Sequence, residues 1–178
     1  IDQHLINARD IFIYLRDIQR LKKWSVKGEF KETELMKDHY SFLEKLDTYY
    51  SALSQFLQQK KIGYQGLIYR ESCEKIDQFL QQNSHKKLFL IGFNALNKAE
   101  EFLFQKVLEN EYSEIYWDID TAFFNSNHQA GKFIRKYKAE WSYYEKNDVK
   151  ILGSSFAQPK NIEVIGTSKN TTQIKYAG

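Results

Sequence analysis

Asp118 and Asp120 stand two residues apart in Ile115-Tyr116-Trp117-Asp118-Ile119-Asp120, and His128 follows at short range. Residues two apart in a strand project to one face, so both carboxylates can reach one hard cation, and an ion held this way would activate water for hydrolysis. Two carboxylates and a distant imidazole are a sparse ligand set. The competing reading is a solvated strand end whose acid caps the next helix. His4, His39 and His85 form no ligand spacing with one another.

A second constellation is basic. Lys132, Arg135 and Lys136 lie at i, i+3 and i+4, with Lys138 close behind, so on a helix the first three share a face suited to phosphate. Against this stands an ordinary amphipathic helix, with Phe133, Ile134, Tyr137 and Trp141 packing inward and the basic face left in water.

Other chemistries find little support. No GxxxxGK[ST] loop occurs, and Gly63-Tyr64-Gln65-Gly66 has neither a following Lys nor a preceding strand, so it reads as a helix break. Glu29-Phe30-Lys31 is the only Glu-x-Lys, and it lies in helical sequence rather than on the strand a metal-dependent nuclease needs. Cys73 is the single cysteine, which excludes an internal disulfide and a thiolate metal cluster and fits a reducing, cytoplasmic compartment. It has no His nearby to make it a nucleophile, and no G-x-S-x-G elbow is present. No cofactor is expected.

The elements that must hold these residues divide near Lys86. Residues 1–84 read as an antiparallel helical bundle. One helix carries Leu5, Ile6, Phe12, Ile13 and Leu21 and ends near Trp24, before a turn at Lys27-Gly28. A long second helix is marked by Met36, Tyr40, Leu43, Leu46, Tyr50, Leu53 and Leu57 at spacings of three and four. A third follows Gly66 and is expected to bury Leu67, Ile68, Ile76, Phe79 and Leu80.

In residues 85–178, Leu88-Phe89-Leu90-Ile91 is a short apolar run ending at Gly92, which reads as a buried strand. A helix with Ala99, Phe102, Leu103, Val107 and Leu108 leads to the strand 115–119, then a basic helix spans His128 to Tyr144. Gly153 to Pro159 reads as a loop and Ile162-Glu163-Val164-Ile165 as a third strand. Alternation of strand and helix implies an α/β fold with a parallel sheet.

The 178 residues suffice for a core, with 42% hydrophobic and 28% charged residues, and no apolar run approaches the ~18 residues of a membrane span. A net charge of +3 permits nucleic-acid contact without requiring it, and the 16% aromatic content can stack on bases but more often fills cores and coats helix interfaces. The opening Ile1-Asp2-Gln3-His4 has no initiator Met, and residues 171–178 read as the start of a helix. The chain is therefore expected to be excised from a longer protein that continues past Gly178.

The stretch Leu88-Phe89-Leu90-Ile91-Gly92-Phe93-Asn94-Ala95-Leu96-Asn97-Lys98-Ala99-Glu100 resembles the second helicase-motif region of AddB-type subunits of helicase–nuclease DNA-repair complexes, where the strand ends in Asp-Gly-Phe and a Glu follows. Residues 115–120 and 128–135 look like the variant of this family found in Bacteroidetes. The resemblance covers roughly the second half of the chain. It implies a partial RecA-like domain after a helical insertion, within an inactivated superfamily 1 helicase. In the family the strand-end carboxylate holds magnesium, and here that position is Ile91, which cannot coordinate a metal. Gly92, Phe93 and Glu100 match the remainder of this degenerate motif. The implied role is non-catalytic: DNA binding through Lys132, Arg135 and Lys136, and scaffolding of a partner helicase–nuclease subunit. A metal-dependent hydrolase using Asp118 and Asp120 and a purely protein-docking domain are the alternatives.

Overall fold

The computed structural model is α/β, with a helical N-terminal part and a small three-stranded parallel sheet. It describes the backbone of residues 1–25 and 34–178 and the side chains of residues 1–18 and 38–178. Trp24 as a side chain, the Lys27-Gly28 turn, Met36 as a side chain and Glu29-Phe30-Lys31 fall outside the described residues. No helix among the described residues is long and apolar enough to cross a membrane.

A 3-10 turn at Asp2–His4 precedes α1 (Ala8–Ser25), α2 (Glu34–Gln59) and α3 (Gln65–Gln82). Leu5 takes a left-handed conformation (φ 53°) and closes the turn, so Leu5 and Ile6 precede α1 rather than riding on it. Asp2 fastens this part together. Its carboxylate is buried and accepts hydrogen bonds from Tyr50 of α2, Tyr64 at the start of α3, and Arg70 Nε of α3 at 2.7 Å. Arg70 also donates to the Ile6 carbonyl at 2.6 Å. On α3, Leu67 and Ile76 are buried, whereas Ile68 and Phe79 are about half exposed, contrary to the expectation from spacing.

The sheet follows in the order β1 (Phe89–Phe93), β2 (Glu114–Asp120), β3 (Lys150–Gly153). α4 (Lys98–Leu108) crosses from β1 to β2. The one-turn α5 (Thr121–Phe124), a 3-10 turn at Gln129–Gly131, α6 (Lys132–Glu140) and a second 3-10 turn at Ser142–Glu145 cross from β2 to β3. The expected continuous helix from His128 to Tyr144 is broken at Trp141, whose extended backbone (ψ 126°) turns its indole into the core.

The third strand is not 162–165. Ile162 and Val164 are 79% and 89% exposed, and the segment belongs to no ladder, whereas Val149 and Ile151 reach the core as the chain returns from α6. Alternation in sequence marks strand propensity, and a ladder needs a neighbour within reach. The last helix, α7 (Asn170–Ala177), is exposed.

The core lies on one face of the sheet. Ile115, Trp117 and Ile119 of β2 meet Leu108 of α4 and Ile134, Tyr137 and Trp141 around α6. Trp117 stacks on Tyr137 at 5.2 Å and donates from Nε1 to the Tyr144 hydroxyl at 2.6 Å. Burial holds the Tyr144 phenol up at about 12. In the order 1-2-3, two right-handed crossovers in the same direction put both connections on the same side of a parallel sheet. Among the described residues no element forms a layer on the opposite face.

Candidate docking face and basic helix

Parity along the strands assigns Phe89, Ile91, Glu114, Tyr116, Asp118, Lys150 and Leu152 to the second face. Phe89, Ile91 and Leu152 are each more than half exposed, and no helix among the described residues covers them. A parallel sheet ordinarily has both faces covered, and here the patch is exposed apolar surface.

Its ends are charged in opposite senses. At the strand beginnings, Glu114 accepts from Lys87 at 2.6 Å and Lys150 at 2.5 Å, and from the Tyr116 hydroxyl at 2.6 Å. Donation from Lys150, Lys87 and Tyr116 brings the Glu114 carboxyl down to about 2. Two ammonium groups around one carboxylate leave this end net positive. Lys87 also lies over the Phe89 ring at 4.8 Å, and Lys150 over the Tyr116 ring at 5.1 Å. At the strand ends stands Asp118, exposed and in no ion pair among the described residues.

Asp120 shares the face but is committed to the backbone, capping α5 through Ala122 N–H at 2.9 Å and holding Phe156 N–H at 2.8 Å. Those two backbone donors lower its carboxyl below the usual range. No cluster of three or more metal-ligating side chains occurs among the described residues. Glu100 is likewise a helix cap: Asn97 and Glu100 form a reciprocal capping box at the start of α4, and Glu100 also accepts from the Tyr69 hydroxyl at 2.6 Å. The motif-like stretch splits between roles. Ile91 lies on the open face, Gly92 takes a left-handed conformation (φ 85°) at the bulge where the register shifts, and Phe93 packs edge-on against Phe104 at 4.7 Å. β1 therefore runs through Gly92 instead of stopping there.

The three basic residues of α6 do not act as one surface. Arg135 turns inward, donating from Nη1 to the Phe123 carbonyl and from Nη2 to the His128 carbonyl, each at 2.8 Å. Gly131 makes room for it, since a Cβ there would lie 2.5 Å from the Phe123 carbonyl oxygen. Lys136 is 3.3 Å from the buried carboxylate of Glu101 and 3.6 Å from Glu140. Lys132 alone of the three is exposed without an acidic partner among the described residues.

Aromatic rings gather beside these cations, which sequence spacing did not reveal. Phe123 lies 4.6 Å from His128 and 4.4 Å from Phe156. Lys138 sits over Phe124 at 5.5 Å and Lys160 over Phe156 at 4.6 Å. A larger concavity elsewhere, of about 1030 Å³ between α3 and α4, is lined by Ile68, Phe79, Leu90 and Leu103 and opens to solvent. No protein-family model, curated protein or solved structure matches this chain.

Proposed function

We propose that this chain is a non-catalytic docking and scaffolding module of a helicase-like DNA-processing subunit, and that its uncovered sheet face receives an amphipathic helix of a partner protein. The observation that supports this reading is the row of exposed Phe89, Ile91 and Leu152 around a half-buried Tyr116, on a sheet type that ordinarily has two covers. Charge supports a helix as the occupant. A helix antiparallel to the strands places its negative C-terminal end beside Lys87 and Lys150 and its positive N-terminal end beside Asp118, each worth about 0.3–1 kcal/mol. Of the two acids weighed for metal chemistry, Asp120 is engaged in capping and Asp118 stands without a second ligand beside it among the described residues, which favours docking over hydrolysis.

A capped helical peptide of about 18 residues, with leucine on one face and glutamine elsewhere, is the probe. Covering Ile91 corresponds to roughly 2 kcal/mol, so Ile91→Asp is expected to weaken binding about 30-fold. The melting temperature falls by only a few degrees, about 1 kcal/mol for Asp at a half-exposed strand position, so the fold is retained. Equal binding by wild type and Ile91→Asp would remove the proposal.

DNA contact is a second reading, favoured by the lysines held over Phe124 and Phe156 beside the Phe123 cluster, since rings and cations together suit a single strand. Here Lys132, Lys138 and Lys160 act, not Arg135 or Lys136. Lys132→Ala is expected to reduce the slope of log binding constant against log salt by about 0.7, with stability within ~0.5 kcal/mol of wild type. Arg135→Ala should instead lower stability by about 2–3 kcal/mol, because two backbone carbonyls lose a charged donor. Urea titration and binding to an oligothymidylate at several salt concentrations measure both, and a slope unaffected by Lys132→Ala would dismiss this reading.

A further inference from the structure

A face of α2 beside the one that meets α1 holds a stripe unused by the docking proposal. Phe42, Tyr49, Leu53 and Phe56 are each about half exposed, at 51%, 50%, 51% and 55%. At 100° per residue they fall within an arc of about 60°, roughly a quarter turn from the side where Tyr50 meets Phe12 of α1. Phe42 and Tyr49 are ring neighbours at 6.1 Å. Lys60, just past the helix, reaches over the Phe56 ring at 5.9 Å and extends the stripe at one end. Asp38, exposed and without an ion pair among the described residues, continues it at the other.

The stripe is self-complementary about Tyr49 except at Leu53, whose mate position is Lys45, a side chain with an aliphatic stem that can lie along it. Phe42 and Phe56 lie seven residues to either side of Tyr49, and Asp38 and Lys60 lie eleven to either side. We infer that α2 pairs antiparallel with α2 of a second copy about a two-fold axis at Tyr49. Phe42 then meets Phe56 twice, Tyr49 meets its own mate, and an Asp38–Lys60 ion pair closes each end. An isologous contact requires this reciprocity. A parallel arrangement would set Asp38 beside Asp38 and Lys60 beside Lys60, which like charges oppose. Four half-exposed side chains offer roughly 400 Å² per copy, or about 800 Å² over both copies, short of the ~1,200–2,000 Å² total of standard stable interfaces, so the dimer is weak and reversible.

Sedimentation velocity of the whole chain from about 1 to about 300 µM tests the pairing, with circular dichroism confirming that each variant remains helical. Wild type is expected to shift from monomer to dimer across this range. Asp38→Lys alone and Lys60→Asp alone should each weaken the dimer about tenfold, because each replaces two attractions with two repulsions. Combining them restores the dimer, which only a reciprocal contact between positions 38 and 60 achieves. In a Cys73→Ser background, Tyr49→Cys treated with oxidised glutathione, which is reduced to two thiols, should form a disulfide-linked dimer. A wild-type monomer at every concentration, or a dimer indifferent to both charge changes, would overturn the inference.

Discussion

Asp2→Ala is expected to lower the unfolding free energy by about 3–5 kcal/mol, the range for removing one partner of a buried, hydrogen-bonded charge pair. Asp2 is 5% exposed and receives Tyr50, Tyr64 and Arg70, so its loss strands three donors and separates the 3-10 turn, α2 and α3 together. Burial by itself would raise its carboxyl pKa, but the three donors outweigh burial and the net shift is downward from 3.8. A depressed carboxyl contributes stability above its ordinary pKa and loses it as the pH falls through the lowered value. Wild type should therefore lose stability as the pH falls from the ordinary carboxyl value of 3.8 through the lowered one, while Asp2→Ala begins lower and falls less. Urea unfolding at neutral pH and near pH 3 reads both effects, and a cost below ~1 kcal/mol would show that the helical part is fastened elsewhere.

Trp117→Ala is expected to cost about 3–5 kcal/mol as well, through the helix-covered side of the sheet. The indole is 0% exposed, stacked on Tyr137, and 5.9 Å from Trp141. Its removal opens a cavity between β2 and α6 and leaves the Tyr144 hydroxyl without its donor. Trp117→Phe retains much of the volume and should lose about half as much. Near-ultraviolet circular dichroism would register the loss of the stacked indole directly.

Much of this architecture was legible in the residues. The apolar runs at 88–91 and 115–119, separated by helical sequence, fixed two parallel strands, and their spacing fixed the connecting helix. The third strand was obscured because Ile162-Glu163-Val164-Ile165 alternates more cleanly than Lys150-Ile151-Leu152-Gly153, although only the latter is delivered to the β2 edge by the preceding turn. The open face was hidden for a related reason. A continuous apolar run such as Leu88 to Ile91 suggests burial on both sides, yet strand order decides whether both sides receive helices. The i, i+3, i+4 spacing of Lys132, Arg135 and Lys136 was a sound geometric signal. It could not register that the α5 turn presents the Phe123 and Phe124 carbonyls to Arg135, at 2.8 and 3.5 Å. On α2, two stripes overlap in the pattern, and exposure alone separates Leu53 from Leu57.

A spin label at the N-terminus of the leucine-faced peptide, with amide relaxation followed in the protein, is the most direct examination of the docking account. The account calls for broadening at Asp118 and Leu152, with Lys87 and the residues of α6 unaffected. Broadening on the α4 and α6 side, or none along the strands at all, would contradict it.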